Sequence, residues 1–81
     1  MTGQAPGAAG RQRAARKELQ RLERQIERLT AREKEITDLL AAYASDYARL
    51  VELGGQLREV QAERARLEED WLSVADEGEI R

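Results

Sequence analysis

The 81 residues carry 14 basic and 16 acidic side chains, 41% hydrophobic residues, 4% aromatic ones, and no Phe, His or Cys. That is room for one small domain, and it leaves no ordinary zinc site, imidazole base, thiol nucleophile or disulfide. No apolar run approaches the ~20 residues that span a bilayer and no secretory pattern opens the chain, which fits a cytoplasmic protein with no membrane partner.

The opening "TGQAPGAAG" is small and charge-free and contains the only proline. Residues 1–11 read as a disordered N-terminal linker that tethers the rest of the chain. From about Gln12 the pattern turns helical. Apolar residues fall at Ala15, Leu19, Leu22, Ile26, Leu29, Ile36, Leu40 and Tyr43, in alternating steps of three and four, and Glu33 takes the one polar slot. This is a heptad seam with Leu19 at an a position, and it predicts a first helix over about 12–43.

A second seam runs through Leu50, Leu53, Leu57, Val60, Arg64, Leu67, Trp71 and Val74. It is out of phase with the first. Extending the first seam would bury Gly54, Gln61 and Glu68 and expose Leu53, Val60 and Leu67. The phase change must fall between Tyr43 and Leu50. "ASD" at 44–46 is the natural bend, with Ser45 or Asp46 able to cap a second helix over about 46–76. Residues 77–81 read as a frayed end.

The glycine pair at 54 and 55 competes for the bend. Keeping both helical costs about 1 kcal/mol each relative to Ala. A reversal there would strand several Leu and Ile of the first helix, each forfeiting roughly 1.5–3 kcal/mol of burial. The bend belongs at 44–46. The fold class is therefore all-α: an antiparallel two-helix coiled-coil hairpin behind a flexible linker, monomeric when its own seams pair.

In such a hairpin, layers join residues whose numbers sum to about 93. Glu33 and Arg64 fall in adjacent layers, where they either pair across the seam and penalise slipped registers or snorkel separately. Trp71 is placed to close the open end of the core against Leu22. Tyr43 and Tyr47 pack over the loop by default, and Arg32 can bond Glu63 across the hairpin.

Catalysis finds little here. Ser45 and Ser73 have no partner base, and no phosphate-cradling GxxxxGK[ST] loop is present. The carboxylates of "LEED" and "DEGE" read as a solvated acidic end rather than a metal site. This segment is expected to be non-catalytic and to hold no cofactor.

Binding is the better prospect, because charge is distributed unevenly. Residues 11–34 hold nine basic and four acidic side chains, and residues 35–81 five basic and twelve acidic. Lys17, Arg21, Arg24 and Arg28 recur at spacings of four, three and four on outward c and f positions, and Arg11 and Arg13 extend the row. Such a stripe can follow a phosphate backbone without reading sequence. No aromatic residues interleave it to stack bases. The plainer alternative is a solvated helix face, partly neutralised by Glu23 and Glu27.

The wording of the sequence adds to its period. "ARKELQRLERQIERLTAREKEI", "YASDYARLVELGGQLREV" and "ERARLEEDWLSVAD", over about residues 14–76, resemble the C-terminal coiled-coil domain of ABC-F ATPases of the Uup-like group, in an actinobacterial form. The resemblance implies a parent protein with two upstream cassettes that bind ATP and Mg, acting on the ribosome in translation or antibiotic resistance. It also implies that the hairpin is a nucleic-acid-binding arm for DNA or for ribosomal or transfer RNA, with Arg11, Arg13, Lys17, Arg21, Arg24 and Arg28 as the contact residues. The alternative is a spacer or protein-interaction coiled coil that docks on the parent ATPase or another partner.

Overall fold

Two out-of-phase apolar stripes demand two helices that face each other, and a computed structural model shows that arrangement. It describes residues 6–78, in the order α1 (Pro6–Ala42) and α2 (Tyr47–Gly78). At 37 and 32 residues the helices are nearly matched in length. The result is a rod of 69 × 15 × 14 Å. Its radius of gyration of 19.0 Å far exceeds the ~12 Å of a compact domain this long.

Helix α1 opens at Pro6, so residues 6–11, expected in the linker, are helical. Proline suits the first helical position, where its missing N–H would lack an intrahelical partner and its φ is already helical. The alanines beyond it carry the helix into the seam. The linker expectation for residues 1–5 lies outside the described residues. At the other end α2 continues through Gly78, past the expected end at 76, and the fraying expected for 79–81 is likewise outside.

The reversal between the helices needs no left-handed residue: among the described residues no φ is positive. The Tyr43 N–H donates to the Leu39 carbonyl at 2.9 Å, and the Asp46 N–H donates to the Tyr43 carbonyl at 2.9 Å. Asp46, not Ser45, then caps α2. Its Oδ1 accepts the Arg49 N–H at 3.1 Å, satisfying one of the donors left over at a helix start. A turn built this way has no use for glycine, and Gly54 and Gly55 lie inside α2. A Cβ added at Gly55 would meet nothing within 4 Å, and one at Gly54 only the Arg58 Nη1 at 3.8 Å.

Two helices cover one seam and no more. Among the described residues only Leu22, Ile36 and Leu53 are fully buried, at 1%, 0% and 4% exposure, and most other seam residues are half-buried. The tip departs from expectation. Tyr47 is 80% exposed, edging the hollow at the bend rather than covering the loop. Tyr43 is 38% exposed, and the Arg49 guanidinium lies over its ring, 4.7 Å from the centroid.

Midway along the rod the two polar interruptions meet. Glu33 Oε1 accepts Arg64 Nη1 at 2.6 Å and Oε2 accepts Gln61 Nε2 at 2.9 Å. Both charged side chains are only 20–30% exposed. The Arg64 Nε is buried without a hydrogen-bond partner, its nearest carboxylate being Glu68 at 3.9 Å. A slipped register would leave these groups unpaired, so the layer fixes alignment more than it adds stability.

Candidate nucleic-acid interface

The outward position of the α1 cations follows from the seam. With Leu22 and Ile36 buried, residues half a turn away must face solvent. Arg13, Lys17, Arg21, Arg24 and Arg28 are all exposed. From Arg13 to Arg28 they run about 22 Å along the axis, at the helical rise of about 1.5 Å per residue. Gaps of four and three residues space the last four cations by roughly 4.5–6 Å.

Pairing divides this row. Arg13, Lys17, Arg24 and Arg28 have no carboxylate within salt-bridge distance among the described residues. Arg21 does. Its Nε donates to Glu18 Oε1 at 3.0 Å, its Nη2 to Glu18 Oε2, and its Nη1 to Gln25 at 3.2 Å. The Arg21 hydrogen bond holds the Glu18 carboxyl below the usual glutamate range, and Glu18 in turn raises the guanidinium. The fork geometry suits a bidentate carboxylate, so Arg21 is occupied in the free protein.

Arg11 is exposed as well, set to one side of the row. With Leu19 at a, it falls at g, on the flank that turns toward α2. It lines a groove with Ala15, Glu18, Val74 and Glu77. Its side chain remains exposed there, as expected. Arg16, which the row omits, is exposed but sits on the opposite flank beside Leu72 and Asp76.

Other side-chain partners also differ from expectation. Arg32 bonds Glu35 at 3.2 Å and Gln56 at 3.1 Å, not Glu63, since Glu35 lies on the same helix and needs no cross-helix reach. Among the described residues Glu23 forms no salt bridge with the cations, though it keeps its charge beside them. It accepts the Trp71 indole N–H at 3.1 Å, which also ties the half-buried Trp71 to α1.

The outer surface of α2 is mainly acidic, with Arg58 and Arg66 exposed among its carboxylates. Glu52, Glu59, Glu69, Asp70 and Asp76 are exposed and none is salt-bridged among the described residues. A polyanion would therefore favour the α1 side of the rod. Among the described residues no helix is long and apolar enough to cross a membrane, and no cluster of acidic residues is arranged to hold a metal ion.

A family model described as ABC transporter C-terminal domain matches residues 10–76, which includes the whole hairpin from the start of the basic row to the end of the second seam. No curated protein and no solved structure matches the chain significantly.

Proposed function

The chain belongs to the ABC transporter C-terminal domain family, and from that premise we propose that it is a non-catalytic, nucleic-acid-binding appendage of a cytoplasmic ATPase. The reading extends to an ABC-F parent of the Uup-like, actinobacterial kind, acting on the ribosome in translation or antibiotic resistance. ATP and Mg belong to its cassettes and not to this hairpin. The wording of residues 14–76 supports that assignment. The ligand is duplex DNA or structured RNA, ribosomal or transfer.

One observation carries the binding proposal: a row of exposed cations, four of them unpaired among the described residues, along one face of a rod. Long Arg and Lys side chains can bridge the mismatch between their spacing and the rise of about 3.4 Å per phosphate on one strand. Backbone amides along the row are engaged within α1, and the face has no aromatic ring, so recognition is of charge and shape. Arg13, Lys17, Arg24 and Arg28 are the primary contacts, and Arg21 joins when it leaves Glu18.

With about four phosphates neutralised, log K should fall with log salt at a slope of about −3.6, or roughly a hundredfold from 50 to 200 mM. The test is a salt series on duplex DNA and on a structured RNA. The variant K17E/R24E/R28E should abolish binding while its circular dichroism stays helical. Binding that survives the reversal would favour the spacer or protein-docking reading, which the acidic surface of α2 supports.

A further inference from the structure

Trp71 and Leu72 are consecutive on α2, so their side chains point about 100° apart. With Trp71 turned toward α1, Leu72 is carried out onto the flank, where it is 62% exposed. Leu72 is the ridge between two depressions on that side of the open end of the hairpin. One, of about 520 Å³, lies among Ile26, Trp71 and Leu72 and is rimmed by Glu23, Glu27 and Glu68. The other, of about 320 Å³, continues past Leu72 to Leu19, Ala15 and Ala75 and is edged by Gln12, Arg16 and Asp76. The floor is apolar and the wider end is ringed by carboxylates.

We propose that this groove is a docking site for a basic amphipathic helix of a protein partner, one that presents Leu- or Ile-type side chains to the floor and Lys or Arg to the rim. Charge complementarity selects that occupant. Three carboxylates make the wider end unfavourable for phosphate, and Arg16 with Asp76 leaves the narrower end without net charge. A cation entering the rim finds Glu23, Glu27 and Glu68, with the face of the only indole in the chain beside them. Arg64, 3.9 Å from Glu68, is engaged with Glu33 at 2.6 Å and leaves the other two rim carboxylates uncompensated.

The apolar floor decides the rest. Two helices supply only two walls, so the groove does not enclose a small molecule as a formed pocket would. A third helix laid along it would cover Leu72 and complete the packing that the hairpin leaves open, in the manner of helix-in-groove recognition. A second copy of this chain fits the rim but not the floor. Its cationic row is interleaved with Gln20, Glu27 and alanines, and its exposed large apolar side chains, Leu39, Tyr47, Val51 and Leu72, lie off that row.

The groove lies on the flank of α1 and the cationic row on its outer face, so the two can be filled independently. A suitable probe is a helical peptide of leucine and arginine in amphipathic order, with a leucine–glutamate peptide of the same pattern as control. The single tryptophan reports directly. The leucine–arginine peptide should blue-shift Trp71 fluorescence saturably, and the control should not. Affinity should fall at least tenfold in E23Q/E27Q/E68Q and in Leu72→Ser, while E52Q/E59Q, with acids removed far from the groove, should bind as the parent does. All three variants should keep their duplex-DNA affinity to within a few-fold, which separates this proposal from the previous one. Absence of a saturable shift, or equal weakening in E52Q/E59Q, would overturn it. So would sedimentation showing self-association that Leu72→Ser abolishes, since a second copy would then be the occupant.

Discussion

The two helices bury similar stripes yet dispose of their outer surfaces in opposite ways. On α1 the outward row is cationic from Arg13 to Arg28 and mostly unpaired; on α2 it is mainly acidic, with Gly55 and Arg66 among the carboxylates. Had the charges been meant chiefly to hold the hairpin together, they would face each other across the seam. Among the described residues only one cross-helix salt bridge does so, Glu33 with Arg64. Charge on the rest of the rod is turned outward, where pairing contributes little, and separated by helix. The contrast points to recognition by one face rather than to stability.

That comparison collapses if the seam opens, so the largest expected effect is at its centre. Ile36 is fully buried in a fold with few such residues, and Ile36→Ala should cost about 2–5 kcal/mol. In a hairpin this small that approaches the whole stability. Thermal melting by circular dichroism should show a large drop or no cooperative transition. Leu72→Ala, on the exposed flank, should be close to neutral in the same measurement.

The next effect concerns alignment of the two faces. Removing Arg64 leaves Glu33 held by Gln61 alone, and removing Glu33 leaves a largely buried guanidinium without its acceptor. A double-mutant cycle on Glu33→Ala and Arg64→Ala should return a coupling of about 1 kcal/mol, discounted from the fully buried case because both side chains retain some exposure. Additive losses would show that each side chain is solvated on its own and that register is set by apolar packing.

Gly55 sharpens the comparison in the opposite direction. No positive φ and no close contact requires glycine there. Gly55→Ala should therefore stabilise α2 by about 0.5–1 kcal/mol, read as a raised Tm. A destabilised variant would mean that α2 is not continuous through this position.

Much of this architecture was legible in the sequence, because the step pattern of Leu and Ile fixes which face is buried and the phase change fixes where the chain turns. The meeting of Glu33 and Arg64 was half legible: adjacent seam layers bring them within reach, but separate snorkelling to solvent was equally open. Partner choice on the surface was less so. Arg21 reaches Glu18 and Gln25, Arg32 takes Glu35 and Gln56, and Trp71 takes Glu23. Long side chains choose among neighbours whose energies differ by less than about 1 kcal/mol, and periodicity carries no information at that level. Arg11 differs again. Its g position can be counted from Leu19, which sets it on the flank of the row while leaving it exposed.

The smallest effect isolates Arg21, the one member of the outward row that already has an anion. Its hydrogen bond depresses the Glu18 carboxyl below the usual glutamate range. A carboxyl whose folded value is depressed keeps its pairing above the ordinary range and loses it as pH falls through the depressed value. At neutral pH the pair is therefore intact, and a phosphate must compete with Glu18 for the guanidinium. Glu18→Gln removes that competitor and leaves Gln25 as the remaining acceptor. Duplex-DNA affinity should rise a few-fold, and the magnitude of the salt slope should grow by about one, the signature of one more phosphate contact. Lowering pH through the Glu18 transition should bring the two proteins' slopes together. An unchanged slope in E18Q at neutral pH would assign phosphate binding to Arg13, Lys17, Arg24 and Arg28 alone.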